Sequence, residues 1–225
     1  MTPLLEVQNL TMRFGGLTAV DSLNFKVEKG NIHGLIGPNG AGKTTTFNMV
    51  SGFYKPSQGR VLLNGQDISG LPMHEVANRG VVRTFQHSTL FGELSVLDNA
   101  LIGTHMTFRP NLLKAILGLD SSARRDALDR ARTSLEFFGL ADVEHETFTG
   151  MNPEETRRMM GLMRRLCAEG TTILLVEHDM QAIMGLCDNI TCMSFGKFLA
   201  EGSPAEIRNH PDVIEAYLGG ARHVA

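Results

Sequence analysis

Apolar and polar residues alternate from Leu4 to Leu10 and again from Ala19 to Val27, with Gly15-Gly16 and Lys29-Gly30 as punctuation. A period of two marks strands with one buried face, so the chain is predicted to open with antiparallel strands. Ile32 to Ile36 is an apolar run of strand length, and Lys43 to Ser51 has the pattern of a helix that stops at Gly52. The glycine-rich stretch between them makes a strand, loop, helix unit. Gly59 to Asn64 and Gly80 to Phe85 predict two more short strands, and Pro72 to Asn78 a short helix with proline near its first turn.

From Val96 to about Leu140 the pattern turns helical, most clearly over Ser122 to Phe138, where Ala127, Ala131, Leu135 and Phe138 recur at helical spacing. Pro153 to Cys167 predicts another helix, with Asn152 as N-cap, Pro153 at the first position and Glu154-Glu155 where the helix dipole favours acids; Gly170 ends it. Thr171 to Val176 reads as a buried strand and Asp179 to Cys187 as a helix. Asn189 to Ser194 and Lys197 to Glu201 read as a strand pair around Phe195-Gly196, and two short helices, Pro204 to Asn209 and Pro211 to Leu218, close the pattern. The sum is a mixed α/β chain with a helical insertion.

Composition narrows this picture more than it changes it. The chain has 225 residues, 42% of them hydrophobic, which is enough for a sizeable core. A formal net charge of −3, from 21 basic and 24 acidic residues without blocks of like charge, does not ask for nucleic acid. The opening MTPLLEVQNL lacks the basic and apolar stretches of a secretory signal, and the densest apolar run, Ile173 to Val176, falls far short of the roughly 18 residues of a membrane span. The three cysteines, Cys167, Cys187 and Cys192, form no CxxC pair, so a reducing cytoplasm is the expected compartment.

The chemistry sits in Gly37-Pro38-Asn39-Gly40-Ala41-Gly42-Lys43-Thr44, followed by Thr45. Gly37, four residues, then Gly42-Lys43-Thr44 is the spacing of a phosphate-binding loop. Glycines let the backbone fold back so that successive N–H groups point at a β-phosphate, with the positive end of the following helix behind them. Lys43 is expected to reach the β- and γ-phosphates, and the Thr44 hydroxyl to bind Mg²⁺. ATP and Mg²⁺ are therefore the expected ligands.

With the loop placed, the stretches LEVQNLTMRFGGLTAVDSLNFKVEKG, GLIGPNGAGKTTTFNMVSGFYKPSQGRVLLNGQDISGL, RTFQHSTLFGELSVLDNALIGTH, GMNPEET, TILLVEHDM and VIEAYLGG make the chain resemble the ATP-binding subunits of ABC transporters, most closely those for branched-chain amino acid uptake. The resemblance implies one P-loop NTPase nucleotide-binding domain of ABC type over residues 1–225, with an antiparallel β subdomain and a helical subdomain at about 96–149. It implies that Phe14 stacks on adenine with Val20 packed near it. Gln86 is implied to sense Mg²⁺ and the attacking water, and His178 to contact the γ-phosphate as the switch histidine. The turn Gly150 to Pro153 is implied to touch a second ATP-binding subunit across their shared nucleotides. Membrane permease subunits are implied around Phe91 to Leu97, with an extracytoplasmic amino acid binding protein as an indirect partner. The implied place is the inner face of the cell membrane, on the cytoplasmic side.

Three parts of the family pattern have no counterpart here: the glycine-rich signature loop that starts a helix, the buried strand that ends in a magnesium-binding aspartate, and the glutamate beside it. The chain passes from Leu140–Thr149 straight into Gly150-Met151-Asn152-Pro153. One helix, one strand and their connections amount to about 25 to 35 residues, so an internal deletion near Thr149 and Gly150 is expected, leaving the helical subdomain truncated and the sheet one central strand short. Glu177, at the end of the Ile173 strand, is the alternative acid, but His178-Asp179 follow it in the switch pattern and it would have to serve as metal ligand and base together. Three readings stay open: an ATP-binding subunit of a branched-chain amino acid importer in a form that has lost its signature loop and acidic strand, a non-catalytic nucleotide-binding module, and a truncated product without function.

Overall fold

The computed structural model describes residues 3–84, 94–104, 121–145, 153–176 and 180–219. The opening alternation becomes β1 (Leu5–Phe14) and β2 (Leu17–Val27), paired antiparallel, with β4 (Gln58–Leu63) on the other side of β1 and β5 (Gln66–Asp67) at the edge, in the order β2-β1-β4-β5. Their inward side chains, among them Val7, Leu10, Leu23, Phe25 and Val61, gather with Leu35, Met49, Val50 and Met193 into one core cluster. At about 1.5 to 3 kcal/mol per fully buried aliphatic side chain, this alternation holds the sheet against the elements around it.

The second sheet has the order β6-β3-β7-β8. Here β3 (Ile32–Ile36) lies parallel to both β6 (Ile173–Leu175) and β7 (Asn189–Ser194), and β8 (Lys197–Gly202) closes the edge antiparallel to β7. Every residue of β3 is buried, as its unbroken apolar run requires of a central parallel strand. The helices α1 (Lys43–Val50), α2 (Met73–Asn78), α5 (Pro153–Ala168, from Arg157 onward), α6 (Met180–Leu186), α7 (Pro204–Asn209) and α8 (Pro211–Gly219) complete this unit, which comprises residues 1–83 and 157–225. Ser203 caps α7 in a capping box with Glu206, which accounts for the sharp start after β8.

Residues 84–156 form a second compact unit. Its described part is helical: α3 (Val96–Gly103), capped by the Ser95 side chain, and α4 (Ser121–Phe138), with Leu97, Ala131 and Leu135 as a small core. The Leu97 N–H donates to the Glu144 carbonyl at 2.9 Å, and Arg132 pairs with the Glu144 carboxylate at 3.1 Å.

Two expectations for the parallel sheet need correction. Thr171 to Val176 was expected to be a buried strand, yet β6 covers only Ile173–Leu175 and all three residues are half-buried. Gly80 to Phe85 was expected to be a strand, yet Val81–Thr84 form no ladder, and Val82 is 78% exposed. Both departures have one physical cause. A strand is held by its neighbours, and among the described residues β6 has β3 as its single partner while Val81–Thr84 has none.

Inside the sheet, the His33 ring is 1% exposed and stacks on Phe25 at 5.7 Å. Its Nε2 lies 2.8 Å from Thr191 Oγ1, and the Thr191 hydroxyl donates to Glu201 at 3.0 Å, so Nε2–H is the donor toward Thr191. Burial lowers the His33 pKa to about 4. Because the folded value lies below the unfolded one near 6.5, the stability associated with neutral His33 is complete above pH 6.5 and is lost as pH falls toward 4. The loss over that window is expected to be about 3 kcal/mol. Melting curves from pH 7 to pH 4 should show it, and a His33→Gln variant that kept the same slope would assign the slope to other groups.

Candidate phosphate-binding site

The loop between β3 and α1 has the geometry that its glycines require. Gly37, Gly40 and Gly42 have φ of 150°, 80° and 97°, all in the region that side chains avoid. At Gly37 an added Cβ would stand 2.1 Å from the Met193 carbonyl oxygen, and at Gly42 it would stand 2.6 Å from the Ala19 carbonyl oxygen. Both neighbours are backbone atoms that cannot swing aside. Gly37→Ala is therefore expected to cost about 2 to 4 kcal/mol of stability, read from the denaturation midpoint, whereas Gly40→Ala meets no atom within 4 Å and carries backbone strain alone.

Helix α1 starts with Gly42 as its N-cap, and no side chain caps it. Its first N–H groups thus keep their positive ends for an anion. Lys43 arches over the loop, its Nζ donating to the Gly37 carbonyl at 2.6 Å and the Pro38 carbonyl at 3.0 Å, and burial lowers its pKa from the ordinary lysine value. A phosphate bound in the loop would replace carbonyl dipoles with a full negative charge beside the ammonium group. Thr44 is exposed and Thr45 half-buried on the first turn, while Asn39 and Gly40 are exposed and Pro38 half-buried at the loop's crest; Ala41, 1% exposed, is its buried foot. The Thr44 hydroxyl is available to a hydrated Mg²⁺, which binds through few protein oxygens and keeps several waters.

The loop is supported by residues that local pattern did not reveal. The turn between β7 and β8 contains Phe195 and Gly196, both at positive φ, and the Gly196 N–H donates to the Ala41 carbonyl at 3.0 Å. The Gly196 carbonyl accepts from Asp21 N–H at 2.8 Å, which ties the loop to β2 as well. Val20 is fully buried, and its Cγ2 lies 3.2 Å from where a Cβ on Gly42 would be. Its place is beneath the loop. Tyr217 of α8 adds a further contact. Its ring lies beside the loop at Gly37, and burial raises its pKa to about 12.

Phe14 is 42% exposed and meets Tyr54 edge to face at 5.4 Å, and Tyr54 in turn meets Phe53, 54% exposed, at 5.0 Å. An exposed aromatic that a second ring holds in place is suited to stacking on a nucleobase. Gln86, His178 and the turn Gly150 to Asn152 lie outside the described residues, as does Phe91. Among the described residues no cluster of His, Cys, Asp or Glu could hold a metal ion, and no helix is long and apolar enough to cross a membrane.

Comparison with known proteins places this geometry among others. The family model described as ABC transporter matches residues 20–177, and one described as branched-chain amino acid ATP-binding cassette transporter matches residues 199–223. The chain is 43% identical to the high-affinity branched-chain amino acid transport ATP-binding protein LivG of Escherichia coli, with 97% of this chain and 99% of that one covered. That comparison runs over 254 residues and so exceeds the 225 of this chain. Identity to BraF of Pseudomonas aeruginosa, with the same description, is 40% over 97% of this chain and 99% of that one. Among solved structures, an ATP-binding cassette of an ABC transporter in its ADP conformation superposes with a TM-score of 0.83 at 26% identity, covering 97% of this chain and 100% of that one.

Proposed function

This chain belongs to the ABC transporter family of ATP-binding subunits, and from that premise we propose that it serves an importer of branched-chain amino acids by binding MgATP in the Gly37–Thr44 loop. The observation that carries the solute class is the likeness that continues through the C-terminal segment 199–223. Lys43 and the first N–H groups of α1 hold the phosphates, Thr44 holds the metal, and Phe14 stacks on the base. Two such subunits, alike or different, associate with the membrane permease subunits on the cytoplasmic side, and an extracytoplasmic binding protein delivers the amino acid.

A second reading shares the phosphate site but not the turnover. A likeness that runs over 254 residues against a chain of 225 favours the loss of an internal segment, and the sequence locates that segment before Gly150, where the signature loop and the two acids belong. On this reading the chain occupies a dimer slot and contributes binding without hydrolysis.

The two separate in one set of measurements. The chain is co-expressed with branched-chain permease subunits, with and without an intact ATP-binding partner, in cells lacking their own uptake system. Leucine uptake without the intact partner supports the first reading. Uptake only with the partner, abolished by Lys43→Ala in this chain, supports the second. Soluble chain that binds no nucleotide in either setting overturns both.

A further inference from the structure

We infer that Arg83 is a positioning residue for the phosphate site, acting through α1 from the end of the helix opposite the loop. Helix α1 has eight residues and no basic residue in its last turn, so nothing of its own balances the negative end of its dipole. The Arg83 guanidinium supplies that cation from 35 positions beyond Asn48. It lies over the Phe47 ring at 5.1 Å and donates to the Asn48 side-chain oxygen and, at 3.3 Å, to the hydroxyl of Ser51, the C-cap. One side chain from a distant part of the sequence thus holds Phe47, Asn48 and Ser51 together. A hollow of about 120 Å³ lies beside the same end of the helix, lined by Phe47, Val50, Ser51 and Arg83 together with Leu4 and Leu174. Apolar packing on that side is therefore incomplete, and the polar clamp stands where close-packed side chains would otherwise fix the helix.

The phosphate donors belong to the other end of the same short rod. Lys43 and the first N–H groups of α1 sit about 12 Å from the clamp at 1.5 Å per residue, so a tilt at the rear re-aims the donors at the front. A helix this short has little stability of its own to resist such a tilt. The front is tethered from outside by the Gly196 N–H on the Ala41 carbonyl, which makes it the pivot, and the hollow offers the released rear a space to enter. Charge alone does not carry the effect to the phosphate. The dipole contribution fades within a turn, and the length of the rod exceeds the screening length of about 8 Å at physiological salt. What reaches the front of the helix is geometry. The inference deepens the proposed binding of MgATP by the loop at 37–44 and rests on that reading.

MgATP affinity of the full chain is measured by titration calorimetry well below the Tm of every variant, so that all molecules are folded. Arg83→Gln is expected to raise Kd about tenfold, less than the roughly hundredfold that a misplacement of about 1 Å can cost. Asn48→Ala cuts the same contact from the helix side and should raise Kd comparably. The double variant should bind about as well as the poorer of the two single ones, because both substitutions sever one interaction. Asn48→Asp keeps an acceptor for the guanidinium and should stay within about twofold of the parent. Amide exchange at residues 45–48 should quicken in both clamp-breaking variants. The inference is overturned if Arg83→Gln and Asn48→Ala lower Tm but leave Kd unchanged, which would make Arg83 purely architectural, or if their effects on Kd multiply in the double variant. A parent chain that binds no MgATP overturns the proposed function and this inference with it, whereas a parent that binds no better than Arg83→Gln overturns this inference alone.

Discussion

Purified and supplied with MgATP, the chain is expected to release phosphate at least about 10²- to 10⁴-fold more slowly than an ABC subunit that has its full set of acids, while still binding nucleotide. The magnitude is that of losing a general base. Phosphoryl transfer depends on position, metal and charge stabilisation, and it makes little use of covalent chemistry with the protein. The parts needed for position survive: Lys43 held over the loop, an uncapped α1 N-terminus and an exposed Thr44. On the reading that an internal segment is lost before Gly150, the parts that orient water and close a partner's signature over the γ-phosphate are lacking. Binding of a fluorescent ATP analogue together with steady-state phosphate release measures both halves of the statement. Lys43→Ala should remove the binding. Turnover at family rates by the unmixed chain would sink the expectation and return Glu177 to consideration as the acid.

The second large effect concerns stability. Burying four to six apolar side chains of a central strand contributes on the order of 10 kcal/mol, while whole domains have only about 5 to 15 kcal/mol in total. A chain without that strand is therefore expected to melt far below an intact relative and to aggregate through the β6 edge, which has no ladder neighbour among the described residues. Inserting a relative's segment between Thr149 and Gly150 should restore several kcal/mol, seen as a higher urea midpoint and a steeper transition because more surface is buried. A parent chain that already unfolds cooperatively at the relative's midpoint would show that its remaining segments close the sheet.

Local pattern made most of the fold legible because most of its elements are fixed locally or by faces of constant period. The alternation of Leu4 to Leu10 and Ala19 to Val27, the apolar run of β3 and the glycine spacing of the loop each contain their own instruction. Burial of β6 and pairing of Val81–Thr84 do not. Each depends on a neighbour that has to come from elsewhere in the chain, so the same letters that predict a buried strand give a half-buried one where the described residues supply no second neighbour. The site divides in the same way. Gly37, Gly42, Lys43 and Thr44 were readable because the phosphate contacts follow one another along the chain. Gly196, Met193 and Tyr217 were not, because they support the loop from about 150 to 180 positions further along, where Phe195-Gly196 looks like any hairpin turn. Val20, which the resemblance places near Phe14, is fully buried and touches the loop at Gly42.

The foundation of the loop has a bearing on inheritance. The backbone bond from Gly196 to Ala41 and the contact of Met193 with Gly37 join the loop to the hairpin of β7 and β8, and the Gly196 carbonyl joins that hairpin to β2, none of which borders the junction expected at Thr149 in sequence. A lesion in the middle of the gene can therefore silence the engine and spare the socket. Such a chain would still compete for the cell's nucleotide, and as a subunit that enters an assembly without driving it, it would act as a brake on any intact copy beside it.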